Sequence, residues 1–156
     1  MTPTIKKIKI IRNFSKSAQY YDESSHLQKT LEDILIDRIS DKIKDRSVIL
    51  DIGSGTGSLC EKISKINPLV IFYGLDIAFG MVEYSVKSFR NSNFIQADAE
   101  KIPFRDNLFD LVVSNSVYQW VGDLEEAFFE VKRVLKDKGE FHFIFFGGKT
   151  LWELKD

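Results

Sequence analysis

The chain has 156 residues, 22 Lys+Arg against 23 Asp+Glu, a net charge of -1 and 44% hydrophobic residues. That balance excludes a disordered chain, which needs low hydrophobicity and high net charge, and 9 Gly with 3 Pro exclude a collagen-like one. A single cysteine, Cys60, cannot form an internal disulfide, no apolar run approaches the roughly 18 residues of a membrane span, and the charge balance predicts no non-specific hold on nucleic acid. The length suits one domain with its own core, residues 1–156. Between Met1 and Phe14 the apolar residues are interrupted by Lys6, Lys7, Lys9 and Arg12, unlike a signal peptide. A cytoplasmic location is therefore expected.

Ser15 to Lys44 reads as helical, with Leu27, Leu31, Ile34, Leu35, Ile39 and Ile43 recurring at three or four. This predicts an N-terminal helical cap over residues 1–45. The core, residues 46–156, alternates strand-like and helix-like segments. Val48–Ile52 is the first strand; Leu59 to Ile66 is a helix stopped by Asn67-Pro68. Val70–Asp76 is the second strand, Phe79–Phe89 a helix, and Asn93–Ala97 the third strand. Phe109–Ser114 is the fourth strand, Leu124–Leu135 a helix with one apolar face, and Glu140–Phe146 the fifth strand. The strands are apolar almost throughout, as expected where helices cover both faces of a parallel sheet. The expected fold is α/β, with a Rossmann-like parallel sheet in the order 3-2-1-4-5. The sheet looks incomplete, so an open edge on strand five is expected to favour self-association.

The chemistry concentrates at Asp51-Ile52-Gly53-Ser54-Gly55-Thr56-Gly57, where the first strand meets its helix. Glycines there let the backbone turn and approach a ligand closely, and the helix start offers free N–H groups. Asp76, ending strand two, is placed to accept hydrogen bonds from a ribose diol. Asp98, in Ala97-Asp98-Ala99 after strand three, can offer a carboxylate to an adenine amino group. NAD and S-adenosylmethionine both meet that description. The dinucleotide fingerprint G-x-G-x-x-G/A fails at Ser58, and Asp51 would repel a pyrophosphate yet attract an ammonium group. S-adenosyl-L-methionine is the cofactor expected, with S-adenosyl-L-homocysteine as product.

VILDIGSGTG, YGLDIAFGM, QADAEKIPFRDNLFDLVVSN and VKRVLKDKGEFHF resemble class I S-adenosylmethionine-dependent methyltransferases, in order, from about residue 46 to 146. A narrower set is similar to the malonyl acyl-carrier-protein O-methyltransferases of biotin synthesis. It comprises Asn13 to Asp22 with His26-Leu27-Gln28, Tyr118-Gln119-Trp120, and Thr150-Leu151-Trp152-Glu153-Leu154. The resemblance implies that Gly53, Ser54 and Gly55 pass beneath the methionine moiety and Asp76 holds the ribose. Ile77 and Met81 would flank adenine, while Asp98 and the Ala99 N–H would meet its edge. Asn115 and Ser116 would line the methyl-donor side, and Tyr21 would close the site; Gln119 and Trp120, beside that pocket, are expected either to pack as a helix cap or to contact the acceptor. It further implies an acceptor carried by an acyl carrier protein, a lid beyond residue 156 with the final strands absent, and weak transfer by residues 1–156 alone. Ser54 stands where the biotin enzymes usually show Cys, and Lys136-Asp137-Lys138-Gly139 replaces a K-P-G-G turn. A methyltransferase of another small molecule, such as a quinone precursor, and a non-catalytic cofactor-binding partner subunit share the same motifs.

No catalytic residue is assigned, and no His/Cys cluster has metal-ligand spacing. His142, among Phe141, Phe143 and Phe145, is expected to be a packed core histidine. His26 is expected near the site, and Cys60 as a small buried hydrophobe. The basic segment Lys6 to Arg12 is expected to be solvated, with the option of attracting an acidic carrier.

Overall fold

Val48–Ile52 (β1) places Ile49 on one side of the sheet and Leu50 and Ile52 on the other, all fully buried. A strand with apolar residues on both sides requires cover on both, and the chain supplies it. A computed structural model gives the architecture and describes residues 5–89 and 93–147. Ile71–Asp76 (β2), Asn93–Gln96 (β3), Phe109–Asn115 (β4) and Leu135–Ile144 (β5) complete a five-stranded sheet in the order β3-β2-β1-β4-β5. Every neighbouring pair is parallel, as the crossover pattern requires. The sheet is therefore Rossmann-like, with β1 at its centre.

His26–Ile39 (α3), Ser58–Ile66 (α4) and Phe79–Ser88 (α5) cover one face, where Leu35, Ile39, Leu59, Ile63 and Val82 meet Ile49, Phe72, Leu111 and Val113. Leu124–Val134 (α6) covers the other, where Val131 and Val134 meet Leu50, Ile52, Leu75 and Val112. Asp123 caps α6 by accepting the Glu126 N–H at 3.0 Å, fixing where that helix begins. Arg133 near its end donates to Glu130, Asp106 and the Ile102 and Phe104 carbonyls, pinning the segment after β3 beneath the helix.

Three expectations are corrected. Within the N-terminal cap the helical part starts before Ser15 and is broken: Ile5–Ser17 (α1), Tyr21–Ser24 (α2) and α3 replace one helical stretch, followed by a 3-10 turn at Ser40–Lys42. The basic segment is therefore part of a helix whose inner side packs on the domain. Second, β5 begins at Leu135: Leu135 pairs with Phe109, residues 136–139 bow outward, and Glu140 resumes pairing at Leu111. The Lys136–Gly139 turn is thus an irregularity inside a strand, entered because Leu135 still packs into the core. Third, His142 lies on that edge strand, partly exposed, with its Nε2 2.9 Å from Glu140 Oε2. Cys60 is buried as expected. Phe143 on β5, Phe145 just after it, and Phe128 and Phe129 on α6 are exposed. The Thr150–Leu154 motif lies outside the described residues.

Candidate functional site

The loop after β1 is drawn down onto β2, because the Gly53 and Ser54 N–H groups both donate to the Leu75 carbonyl, at 2.6 and 3.0 Å. Gly53 has φ +74, and a Cβ there would sit 2.1 Å from Val117 Cγ2. Only glycine fits. Gly55 donates its N–H to Asp76 Oδ2 at 2.9 Å, while Asp76 Oδ1 accepts from the Ala78 N–H at 2.8 Å. The carboxylate ending β2 therefore ties the glycine loop to the start of α5. Each oxygen keeps a lone pair for a ligand hydroxyl. Burial pushes the Asp76 carboxyl above the usual carboxylate range, against the lowering pull of its backbone donors.

Two adjoining chambers, of about 100 and 40 Å³, open beside this loop. The larger has apolar walls: Ile10 and Phe14 of α1, then Ile52, Leu75, Ile77 and Met81. Asp76, Asp98, Ala99, Asn115, Ser116 and Trp120 complete it, so most of the expected site residues converge here. Asp51 and Ser54 instead line the smaller chamber, and Tyr21, Gly53, Gly55 and Asn115 line both. The smaller chamber is polar. Burial, with the charges of Glu32 and Asp76 nearby, drives the Asp51 carboxyl well above its ordinary value. The Ser54 hydroxyl is buried there with no hydrogen-bond partner among the described residues. A buried hydroxyl without a partner and a buried acid lining one chamber are groups that an incoming cationic, polar group could satisfy.

Asn115 Nδ2 donates to the Gln28 carbonyl at 2.9 Å, fastening the end of β4 to α3. Ser116 follows at φ +59, a left-handed conformation held by its N–H donating to the Ile144 carbonyl at 2.7 Å. Gln119 lines neither chamber; its amide donates to the Ser116 carbonyl at 2.7 Å and supports that turn from behind. Trp120 is 45% exposed and meets Phe14 edge-on at 5.9 Å, while Phe14 meets Tyr21 at 6.1 Å. These rings rim the larger chamber. Burial, with Glu32, Asp76 and Asp22, raises the Tyr21 phenol, keeping it neutral. His26 is exposed and lines neither chamber.

Two groups escaped the sequence reading. Lys7 of α1 enters the larger chamber and pairs with Asp98 at 2.5 Å and Glu100 at 2.9 Å. Lys7, Ile10 and Phe14 recur at three and four, a helical signal in a segment expected to be solvated. Glu32 of α3 enters the smaller chamber, held by the Ser58 hydroxyl at 2.7 Å and Lys62 at 3.2 Å. No cluster of metal-ligating side chains occurs among the described residues. Among them, no helix is long and apolar enough to cross a membrane.

Residues 50–143 match the methyltransferase domain family. A malonyl-[acyl-carrier protein] O-methyltransferase of Geobacter sulfurreducens is 35% identical over 97% of this chain, which spans 58% of that relative. A mitochondrial arginine hydroxylase of Rattus norvegicus is 37% identical over 83% of the chain and 38% of its own length. Among solved structures, a Methanococcus maripaludis protein assigned as an S-adenosyl-L-methionine-dependent methyltransferase aligns with TM-score 0.69 and 29% identity. That alignment covers 83% of this chain and 62% of the other. A TehB-like methyltransferase of Corynebacterium glutamicum, 22% identical, shares the fold at TM-score 0.69, covering 86% and 75%. With the family match spanning most of the core and the glycine loop, Asp76 and Asp98 converging on one chamber, the chain belongs to the S-adenosylmethionine-dependent methyltransferases.

Proposed function

We propose that this chain transfers a methyl group from S-adenosyl-L-methionine to the free carboxylate of a malonyl group on an acyl carrier protein. The observation that carries the cofactor is the Asp76 carboxylate, bonded at once to the glycine loop and to α5 with lone pairs left over. The 35% identity along nearly the whole chain to a protein of that name supports the acceptor. When bound, the cofactor supplies an electrophilic methyl on a sulfonium. Asp76 accepts the ribose hydroxyls, Ile77 and Met81 sandwich the adenine, and Ala99 offers its N–H to the ring edge. Asp98 takes the adenine amino group, which sets it in competition with Lys7. Gly53, Ser54 and Gly55 support the amino-acid end, where Asp51 and the Ser54 hydroxyl receive its ammonium. Asn115 and Ser116 face the methyl-donor side, Tyr21 closes over it, and Trp120 contacts the acceptor from a turn that Gln119 positions.

A malonyl carboxylate is already ionised at neutral pH, so the reaction asks for no general base. The protein's part is to hold donor and acceptor in line and exclude water. The hydroxylase relative favours one second reading, since the same core serves another chemistry there. A methyltransferase of another small molecule, such as a quinone precursor, and a non-catalytic cofactor-binding partner subunit are separate alternatives that keep the same cofactor motifs.

Calorimetry with S-adenosylhomocysteine and NAD tests the cofactor; binding of NAD alone would sink it. Incubation with labelled S-adenosylmethionine and malonyl-loaded carrier protein tests the acceptor by label on the malonyl group. Residues 1–156 are expected to bind the cofactor and transfer slowly, because Tyr21 and Trp120 are the main acceptor-side cover among the described residues. Turnover on a quinone precursor but not on the carrier substrate would replace the acceptor assignment.

A further inference from the structure

Helix α1 reads Ile-Lys-Lys-Ile-Lys-Ile-Ile-Arg-Asn-Phe-Ser-Lys-Ser and contains no acid, whereas every other α-helix described carries at least one. Its inner side is accounted for: Lys7, Ile10 and Phe14 line the larger chamber. At about 100° per residue, Lys9, Arg12 and Lys16 fall on the opposite side and span roughly 10 Å along the axis. All three are exposed, and none has an ion-pair partner among the described residues. Elsewhere Lys62, Lys65, Lys87, Lys136 and Arg133 each pair with a carboxylate, and exposed cations without an ion pair among the described residues, such as Arg38, Lys44 and Arg105, are scattered over different elements, whereas α1 sets three on one face. The outside of the site's cover therefore carries a row of three cations on an acid-free helix, a positive face on a chain of net charge -1.

We infer that the outward face of α1 docks the acidic surface of the carrier protein that brings the acceptor; this rests on the carrier-bound acceptor proposed above. Cations at i, i+3 and i+7 match carboxylates at the same spacing on a partner helix. A carrier seated there has its acyl arm beside the rim formed by Phe14, Tyr21 and Trp120. A membrane is the poorer partner, because Ile10 and Phe14 turn inward to the chamber and Ile8, 50% exposed, is a single apolar side chain rather than a stripe to insert. Docking of this kind acts mainly on encounter and partner choice, and salt weakens it.

The test measures binding of malonyl-loaded acyl carrier protein to the 156-residue chain at low and moderate salt, beside S-adenosylhomocysteine binding. Charge reversal by Lys9→Glu, Arg12→Glu and Lys16→Glu together is expected to weaken the carrier by roughly tenfold or more and flatten its salt dependence. Cofactor affinity should hold within about twofold, which also reports folding; the milder triple change to Gln serves if reversal unfolds the chain. Reversal at Lys44, Lys65 and Lys138, which adds the same charge elsewhere, should leave carrier binding in place. Equal carrier binding by wild type and the α1 variant overturns the docking face while leaving the acceptor reading intact. Equal loss in the second variant reduces the effect to net charge and overturns it too. Tighter binding to phosphatidylglycerol vesicles than to the carrier assigns the face to lipid instead. A wild-type chain that binds S-adenosylhomocysteine but no carrier removes the acceptor reading, and the docking face with it.

Discussion

Asp76→Asn separates cofactor recognition from folding more sharply than any other change. The carboxylate accepts the Gly55 and Ala78 N–H groups at 2.9 and 2.8 Å. An amide can accept only one of them and turns its NH₂ toward the other. Leaving one backbone donor unmet costs about 1–3 kcal/mol. An opposing effect comes from the burial that raises the folded-state pKa of Asp76. A raised carboxyl contributes stability below its unfolded value and loses it as pH rises through the folded value, so at pH 7 the ionised group counts against the fold. Asn removes that cost, and the net change in stability is expected to stay within about 1–2 kcal/mol at neutral pH. Affinity has no such offset. A charge-assisted acceptor for the ribose hydroxyls is gone, a loss of about 1.5–3 kcal/mol, or roughly ten- to hundredfold in S-adenosylhomocysteine binding. Calorimetry and urea denaturation on one preparation measure both quantities. A folded Asp76→Asn protein that binds within about twofold of wild type would refute the ribose assignment.

Gly53→Ala sets a Cβ 2.1 Å from Val117 Cγ2, so stability and cofactor binding should fall together, and adding Val117→Ala should recover part of the stability. Failure of the second change to help would place the damage in backbone strain alone. Because Asp51 is held well above its ordinary pKa and a bound ammonium favours its ionised form, binding should release a proton and tighten as pH rises. Asp51→Asn should abolish that slope in calorimetry. Arg133→Ala strands the nearly buried Glu130 and frees two carbonyls, with an expected loss of about 2–3 kcal/mol in urea denaturation; a loss under about 0.5 kcal/mol would make the cluster ornamental. The β5 edge, with Phe143 on it and Phe145 just after it exposed, should support concentration-dependent self-association that Phe143→Glu suppresses in sedimentation.

Periodicity and local chemistry determined much of this protein from the chain alone. Two-sided apolar strands such as Ile49-Leu50 can be satisfied only between helical layers, and glycines at 53, 55 and 57 announce the turn because glycine adopts a left-handed backbone without the Cβ penalty other residues meet. Asp76 and Asp98 were legible as strand-end acids, since parallel strands deliver their carboxyl ends to one side of the sheet. Tertiary structure decided what depends on elements far apart in sequence. Lys7 looked like a solvated arm until α1 folded back over the sheet and delivered it to Asp98, 91 positions away by number, where two carboxylates offset the loss of water. Glu32 joined Asp51 only because α3 lies against α4, where Ser58 and Lys62 fix its carboxylate. Gln119 sat beside Trp120 in sequence, yet the left-handed turn at Ser116 sent the ring to the chamber and the amide behind it. Charges and turn supports take their partners from whichever surface reaches them, and short-range pattern carries no record of that meeting.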